Sequence, residues 1–300
     1  MVKQYSQLYL DARRRLMEKE EEQYASQLAR DLVCHLSGKN HTQFLQSKEL
    51  FAPEEVCHAI DLAVNRLLED EPLAYVLGEW SFYGLDLFVD KHVLIPRDDT
   101  CAVTQLAMKK GLFLDKNPRI LDLCTGSGCI GLAVASRVKD ARVTLADISP
   151  EALAVAKKNV ARLQLGGRVT CIRTDALQPA SDFLGKFHMI ISNPPYITTK
   201  EMEELPSSVK DYEPHLALHG GEDGLVFYRS IVQNFSKALY PGGYLCFEFG
   251  EGQGDDICHI LENHGYTILE RVRDFNDTER AVMARYDREE NNYGYQKIIL

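Results

Sequence analysis

The sequence has no apolar run near the ~18 residues a membrane-spanning helix needs, so no transmembrane segment is expected. Its eight cysteines include no Cys-x-x-Cys pair, and several, such as Cys171 and Cys246, stand inside apolar runs. That arrangement argues against a metal site or a disulfide framework and for reduced, buried thiols in a cytoplasmic protein. Positive charge is in short supply: 34 Lys and Arg stand against 44 Asp and Glu, for a net charge of -10. A protein that grips nucleic acid chiefly through phosphates needs the opposite balance, so no direct nucleic-acid binding is expected. There is no internal repeat and no low-complexity tract. The opening MVKQYSQLYLDARRRLMEKEEE carries charge in every turn and lacks the apolar core of a signal peptide.

What is present is a chain of 300 residues, 45% hydrophobic, with room for about two domains. Leu8, Leu10 and Leu16, then Leu28, Leu32 and Leu36, then Val56, Ile60, Ala63 and Leu67 recur at helical spacing. Ser37-Gly38-Lys39-Asn40 reads as a helix stop, and Ala52-Pro53-Glu54-Glu55 as a helix start with acids in its first turn. The charge run Glu18 to Glu22 is expected on a solvated helix face. Aromatic-rich Trp80 to Val89, with Gly84 at its turn, predicts a hairpin.

After Ile95-Pro96-Arg97 the character changes to strand–helix alternation: RILDLC, RVTLAD, VTCIRTD, HMIISN and YLCFEFG, separated by helical stretches, then TILERV and RAVMARY. Alternation of this kind predicts an α/β domain whose parallel sheet is covered on both faces, with the last two strands an antiparallel pair at one edge. The expected boundaries are a helical domain over 1–72, a hairpin linker over 73–95 and the α/β domain over 96–300.

Two motifs carry chemistry. Ile120 to Gly131, ILDLCTGSGCIG, is a strand running through a glycine turn into a helix, with Asp147 closing the next strand about 20 residues on. Such a turn holds a ligand carrying adenosine, either a dinucleotide or S-adenosylmethionine. A carboxylate at Asp147 suits ribose hydroxyls, Asp175 the adenine amine, and Asp122 the amino-acid portion of the ligand. Three acids suit a sulfonium better than a pyrophosphate, which favours S-adenosylmethionine as cofactor.

The second motif is Asn193-Pro194-Pro195-Tyr196, placed directly after the apolar run MIIS. Proline has no N–H and stiffens the residue before it, so the corner is rigid and poor in donors. The Asn193 side-chain oxygen and the Pro194 carbonyl are two acceptors that can fix and polarise a planar NH2 group. The Tyr196 ring offers a face to the positive charge that grows on a methylated nitrogen. These four residues are the candidate catalytic set.

With these residues in view, the chain resembles the peptide chain release factor N5-glutamine methyltransferases, the PrmC/HemK family, over nearly its whole length. Besides DLCTGSG and NPPY, the matching stretches are PLAYVLGEWSFYGLDLFV with VLIPR, YEPHLALHGGEDGLVFYR, and PGGYLCFEFG. The resemblance implies a class I S-adenosylmethionine-dependent methyltransferase fold, Rossmann-like with a mostly parallel seven-stranded sheet, behind a small helical domain that docks the protein substrate. It implies methylation of the glutamine in the Gly-Gly-Gln motif of release factors. It assigns Cys124, Thr125, Gly126, Ser127, Gly128 and Asp147 to the cofactor, Ala176 to the adenine, and Asn193 to Tyr196 to the glutamine, with Asn193 bordering the cofactor as well.

Departures are Asp98 and Cys101 in IPRDDTC, Cys124 where a glycine is common, and Ala176 where an aromatic is common. The segment after Tyr286 reads as an extra tail. A sister family acting on a ribosomal-protein glutamine, a nucleic-acid amine methyltransferase and an inactive scaffold are the competing readings. Trp80 is expected to pack the hairpin against the main domain, and His215 and His219 to serve loop structure. Glu248 is expected to be a paired strand-end acid, while Tyr212 and Glu213 are expected at most to shape a substrate channel.

Overall fold

Leu8, Ala12 and Leu16 repeat every fourth residue, and that stripe buries the first helix. In the computed structural model, which describes residues 2–114 and 117–287, α1 spans Tyr5–Leu16. Leu10 falls off the stripe and is exposed, against the sequence expectation. Helix α2 (Glu22–Leu36) ends where Gly38 turns to a φ of 65°, as the stop signal predicts. A reciprocal Asn40–Gln43 capping box opens α3 (His41–Gln46). Glu54 and Glu55 sit at the positive end of α4 (Glu54–Leu68).

Two expectations fail here. Glu18 to Glu21 form the exposed turn between α1 and α2 rather than a helix face; a continuous helix would set Glu18 against Glu22 one turn on, like charges that repel. The helical region also runs past residue 72, since Pro72 leads into α5 (Leu73–Leu77), which Gly78 ends in the left-handed conformation. These helices share one core that includes Leu16, Leu32, Val33, Val64 and Val76. Residues 205–213 group with this unit: Ser207 Oγ donates to Asp70 at 3.3 Å, and the Tyr212 hydroxyl donates to the Glu69 carbonyl.

The expected hairpin is present as β1 (Glu79–Phe82) and β2 (Leu85–Phe88). Tyr83 and Gly84 both take positive φ, 53° and 77°, the signature of a type I′ turn. Trp80 lies half-buried in β1.

The second unit takes in residues 81–88 and runs on from His92 to α6 (Cys101–Gly111), then alternates: β3 (Arg119–Leu123), α7 (Cys129–Arg137), β4 (Arg142–Asp147), α8 (Pro150–Arg162) and β5 (Val169–Arg173). It continues through β6 (Phe187–Ser192), α9 (Thr199–Glu204), α10 (Ser207–Lys210, within the segment that joins the helical unit), α11 (Val226–Phe235) and β7 (Leu239–Glu248). It closes with α12 (Gly254–Asn263), β8 (Tyr266–Arg273) and β9 (Glu279–Tyr286). The sheet order is β5-β4-β3-β6-β7-β9-β8.

The final pair is antiparallel as expected, but β9 inserts between β7 and β8, so β9 alone runs against the rest. A crossover through α12 must skip a slot, and the hairpin return then fills it. Both faces are covered: Ile120, Met189, Ile191 and Cys246 pack under α6 and α7, while Leu121, Ile190, Leu245 and Phe247 pack under α11 and α12. Alternate residues of one strand thus bury on opposite sides, which is why RILDLC and HMIISN read as continuous apolar runs. Of the tail, Arg288 onward lies outside the described residues.

Candidate functional site

The chain leaves β3 toward β4 and β5 on one side and returns as β6 on the other, so the carboxyl ends of β3 and β6 flank a topological switch point. A cavity opens there, in the second unit. Three left-handed residues shape the turn above β3: Cys124 at φ 61°, Gly126 at 52° and Gly128 at 85°. A Cβ on Gly131, one turn into α7, would lie 2.3 Å from Leu145 Cδ2, so that glycine is what lets the helix pack on the sheet.

Of the residues assigned to the cofactor, Cys124, Thr125, Gly126, Ser127, Asp147, Asp175, Ala176 and Asn193 line the cavity. Asp122 and Gly128 do not. Asp122 is fully buried beneath the turn, where Oδ2 accepts from Thr125 Oγ1 at 2.6 Å and from the Gly131 N–H at 2.8 Å. It supports the turn rather than lining the cavity, because one residue before the chain turns its side chain still points to the α7 face of the sheet. Its Oδ1 has no partner, and burial pushes the carboxyl up to about 7 despite those two bonds.

Asp147 is anchored through both oxygens, Oδ2 to the Gly126 N–H at 2.9 Å and Oδ1 to the Ser149 N–H at 3.0 Å. Burial raises its pKa, and those backbone bonds oppose the rise. The Ser127 hydroxyl is buried on the cavity wall and has no hydrogen-bond partner among the described residues. Among the described residues, no Lys or Arg lines the cavity, while two carboxylates do. A pyrophosphate would find no cation there; a sulfonium would find two anions.

The Asn193 corner closes the same cavity through Asn193 and Pro195. Pro194 and Pro195 are buried, and among the described residues no hydrogen bond ends on the Pro194 carbonyl. The chain beyond the corner is tied down: the Ile197 N–H donates to the Leu218 carbonyl at 2.9 Å, and the Gly220 N–H to the Ile197 carbonyl at 2.8 Å. Gln253 Nε2 donates to the Tyr196 carbonyl at 3.1 Å while its Oε1 accepts from the Gly250 N–H at 2.9 Å. The Tyr196 ring lies against Gly250, where a Cβ would come within 3.0 Å of Cδ2, and it is not part of the cavity wall. Asn193 Nδ2 reaches Thr100 Oγ1 at 3.4 Å.

Several positioning groups escape sequence reasoning. Fully buried Asn159 donates to the Phe88 and Ser127 carbonyls at 3.0 and 2.9 Å and accepts from the Phe88 N–H at 2.7 Å, so it staples β2 to the glycine turn. Gly220, Gly224 and Gly250 pack on the corner, and only the repeated glycines of HGGEDG hinted at a close approach. Phe227 lines the cavity with Ala176, so an aromatic wall comes from α11 rather than from position 176. His219 Nε2 pairs with Thr199 Oγ1 at 3.0 Å, and neither His215 nor His219 reaches the cavity.

Residues 103–243 match the methyltransferase small domain and residues 7–78 the PrmC N-terminal domain. The release factor glutamine methyltransferase of Clostridium acetobutylicum is 38% identical over 253 residues, 84% of this chain and 88% of its own. This chain belongs to the release factor glutamine methyltransferase family. The same enzyme of Geobacter sulfurreducens is 39% identical over 78% of this chain and 79% of its own. Among solved structures, the hMettl16 catalytic domain in complex with MAT2A 3′UTR hairpin 6 aligns with a TM-score of 0.55 over 80% of this chain and 86% of that one. At 14% identity that likeness shows the fold alone. The fold is that of the class I methyltransferases and the cofactor is S-adenosylmethionine, whose positive charge suits a cavity lined by two carboxylates.

Proposed function

We propose that this protein methylates the side-chain amide nitrogen of the glutamine in the Gly-Gly-Gln motif of peptide chain release factors, in the cytoplasm. The observation that carries the reading is the Asn193 corner: a stiff loop with two acceptors, on the wall of a cavity suited to a methyl-bearing cation. S-adenosylmethionine supplies the electrophilic methyl group. Asp147 takes the ribose hydroxyls, held by its two backbone bonds in a fixed plane. Asp175 accepts from the adenine amine, between Ala176 and the Phe227 ring.

Asn193 Oδ1 and the Pro194 carbonyl accept the two amide hydrogens of the glutamine. They hold its nitrogen in line with the methyl group and favour the transition state, in which that nitrogen becomes more positive. Pro195 and Tyr196 stiffen the corner. The proton leaves after methyl transfer, to water. The helical unit docks the protein substrate.

The test is to incubate the protein with labelled cofactor and a purified release factor, then locate the label by peptide mass spectrometry. Label on the Gly-Gly-Gln glutamine is expected; label elsewhere, or none, sinks the reading. Asn193→Ala should lower turnover by about 100-fold or more while cofactor affinity stays within about three-fold, as for a lost transition-state contact.

A further inference from the structure

We propose that Glu248 is a positioning residue: with Thr100 it holds the NH2 end of the Asn193 amide and so turns the Asn193 oxygen toward the cavity. The inference rests on the clamp reading of Asn193 and says what orients that clamp. An asparagine presents a donor on one end and an acceptor on the other, so a clamp built on it works in only one of two flipped states. Something must choose between them.

The strand register supplies the candidate. Ser192 of β6 pairs with Phe247 of β7 in a parallel ladder, so Asn193 and Glu248 leave the sheet side by side. Glu248 is 1% exposed, and its carboxyl faces the Thr100 hydroxyl and the Asn193 side chain. Thr100 Oγ1 in turn accepts from Asn193 Nδ2. Both groups facing the amide nitrogen are acceptors, and they leave Oδ1 as the end for the substrate. Glu248 Oε2 has no hydrogen-bond partner among the described residues, and the Glu248 carbonyl accepts from the Tyr228 hydroxyl at 2.8 Å, which fixes the strand end itself.

A buried carboxyl that only filled space would be a poor choice, because burial disfavours its charge. Here burial and Asp99 push it up to about 8, while Thr100, Arg280 and Asn193 hold it down. The other titratable groups facing it are Tyr196 on the corner, Cys101 on α6, Cys129 on α7 and Tyr228 on α11. As Glu248 ionises it becomes a stronger acceptor for Asn193 and places negative charge behind the nitrogen that turns positive. Turnover should therefore rise from pH 7 to 9 around a midpoint near 8.

The experiment compares Glu248→Leu, Glu248→Gln, Thr100→Val and Asn193→Ala, reading kcat across pH 6.5–9.5 and cofactor affinity by calorimetry. Glu248→Leu should lose about 10- to 100-fold in kcat, the size of a lost hydrogen bond to a charged group, with cofactor affinity unchanged. Glu248→Gln keeps an acceptor and mimics the neutral acid, so it should recover turnover to within about three-fold at pH 7 yet lose the rise toward pH 9. Should Glu248→Leu not fold, Thr100→Val tests the same link and should lose about ten-fold.

If Glu248→Leu and Thr100→Val turn over within about three-fold of the parent while Asn193→Ala is inactive, the clamp stands and this inference falls. A Glu248→Gln protein that keeps the full rise with pH also overturns it. If Asn193→Ala is itself active, it is the clamp reading that fails.

Discussion

Replacing Gly220 with alanine tests whether the Asn193 corner must be held to within an ångström. An ideal Cβ on Gly220 would lie 2.6 Å from Tyr196 Cα, 2.7 Å from the Pro195 carbonyl oxygen and 2.9 Å from Tyr196 C. Every one of these neighbours is backbone, so no side chain can swing aside. Ordinary contact begins near 3.4 Å, and the two segments must therefore part by about 0.8 Å, the difference of 3.4 and 2.6. They cannot part freely, because the Gly220 N–H is bonded to the Ile197 carbonyl and the Ile197 N–H to the Leu218 carbonyl. The displacement passes back through the two prolines to Asn193 and the Pro194 carbonyl.

A shift of about 1 Å in reacting geometry costs roughly 100-fold in rate. Overpacking at the same site costs about 1–3 kcal/mol of stability. Single-turnover methyl transfer should thus fall about 100-fold in Gly220→Ala, while cofactor affinity, which the proposed reading assigns to Asp147 and the glycine turn, stays within about three-fold. A denaturation curve separates this loss from unfolding. Wild-type turnover in a folded Gly220→Ala protein would refute the reasoning, since the corner would then be either soft or remote from the reaction.

Asp147→Ala removes the carboxylate that carries the Gly126 and Ser149 bonds, and calorimetry should show cofactor affinity falling by about 30-fold or more, worth about 2 kcal/mol. Cys124→Gly relieves a non-glycine residue at φ 61°, and urea denaturation should show a gain of about 1 kcal/mol; a loss would mean that the Cys124 side chain packs better than its backbone strain suggests. Asp122 has its carboxyl raised from 3.8 to about 7, so the folded state keeps a proton that the unfolded chain releases. The contribution of Asp122 to stability is therefore fully present below pH 3.8 and is lost as pH rises to about 7, by on the order of a few kcal/mol. Asp122→Asn, which mimics the neutral acid, should flatten that slope in denaturation curves at pH 5 and pH 8; an unchanged slope would assign the proton elsewhere.

How far this was legible in the sequence differs between fold and site. The strands were readable because burial on both faces makes them continuous apolar runs, and the glycine turn because positive φ at Gly126 and Gly128 demands glycine. The Glu18–Glu22 run misled because charge pattern alone does not distinguish a solvated helix face from a solvated turn. Asp122 misled for a geometric reason: strand residues alternate faces, and a shift of one position separates the cavity wall from the support beneath it. Thr100, Asn159 and Gln253 left no local signal at all. Each acts on a residue far away in the chain, Thr100 on Asn193 and Gln253 on Tyr196, and no spacing rule reports a contact that only the sheet order creates.

That sheet order also explains why the two chemical motifs meet. β3 and β6 are separated by more than sixty residues yet are neighbours in the sheet, paired from Ile120 with Met189 to Leu123 with Ser192. Register then fixes the outcome: Cys124 and Asn193 are the first residues past paired strand ends, and Ser192 Oγ donates to the Leu123 carbonyl at 2.7 Å to lock the two ends together. A slip of one residue in either strand would turn the Leu123 and Ile190 side chains to the wrong face, so the core that specifies the register also sets the distance between cofactor turn and corner. The geometry required for methyl transfer is in this sense a by-product of packing, and the groups that refine it (Thr100, Glu248, Gly220) need only correct orientation over the last ångström.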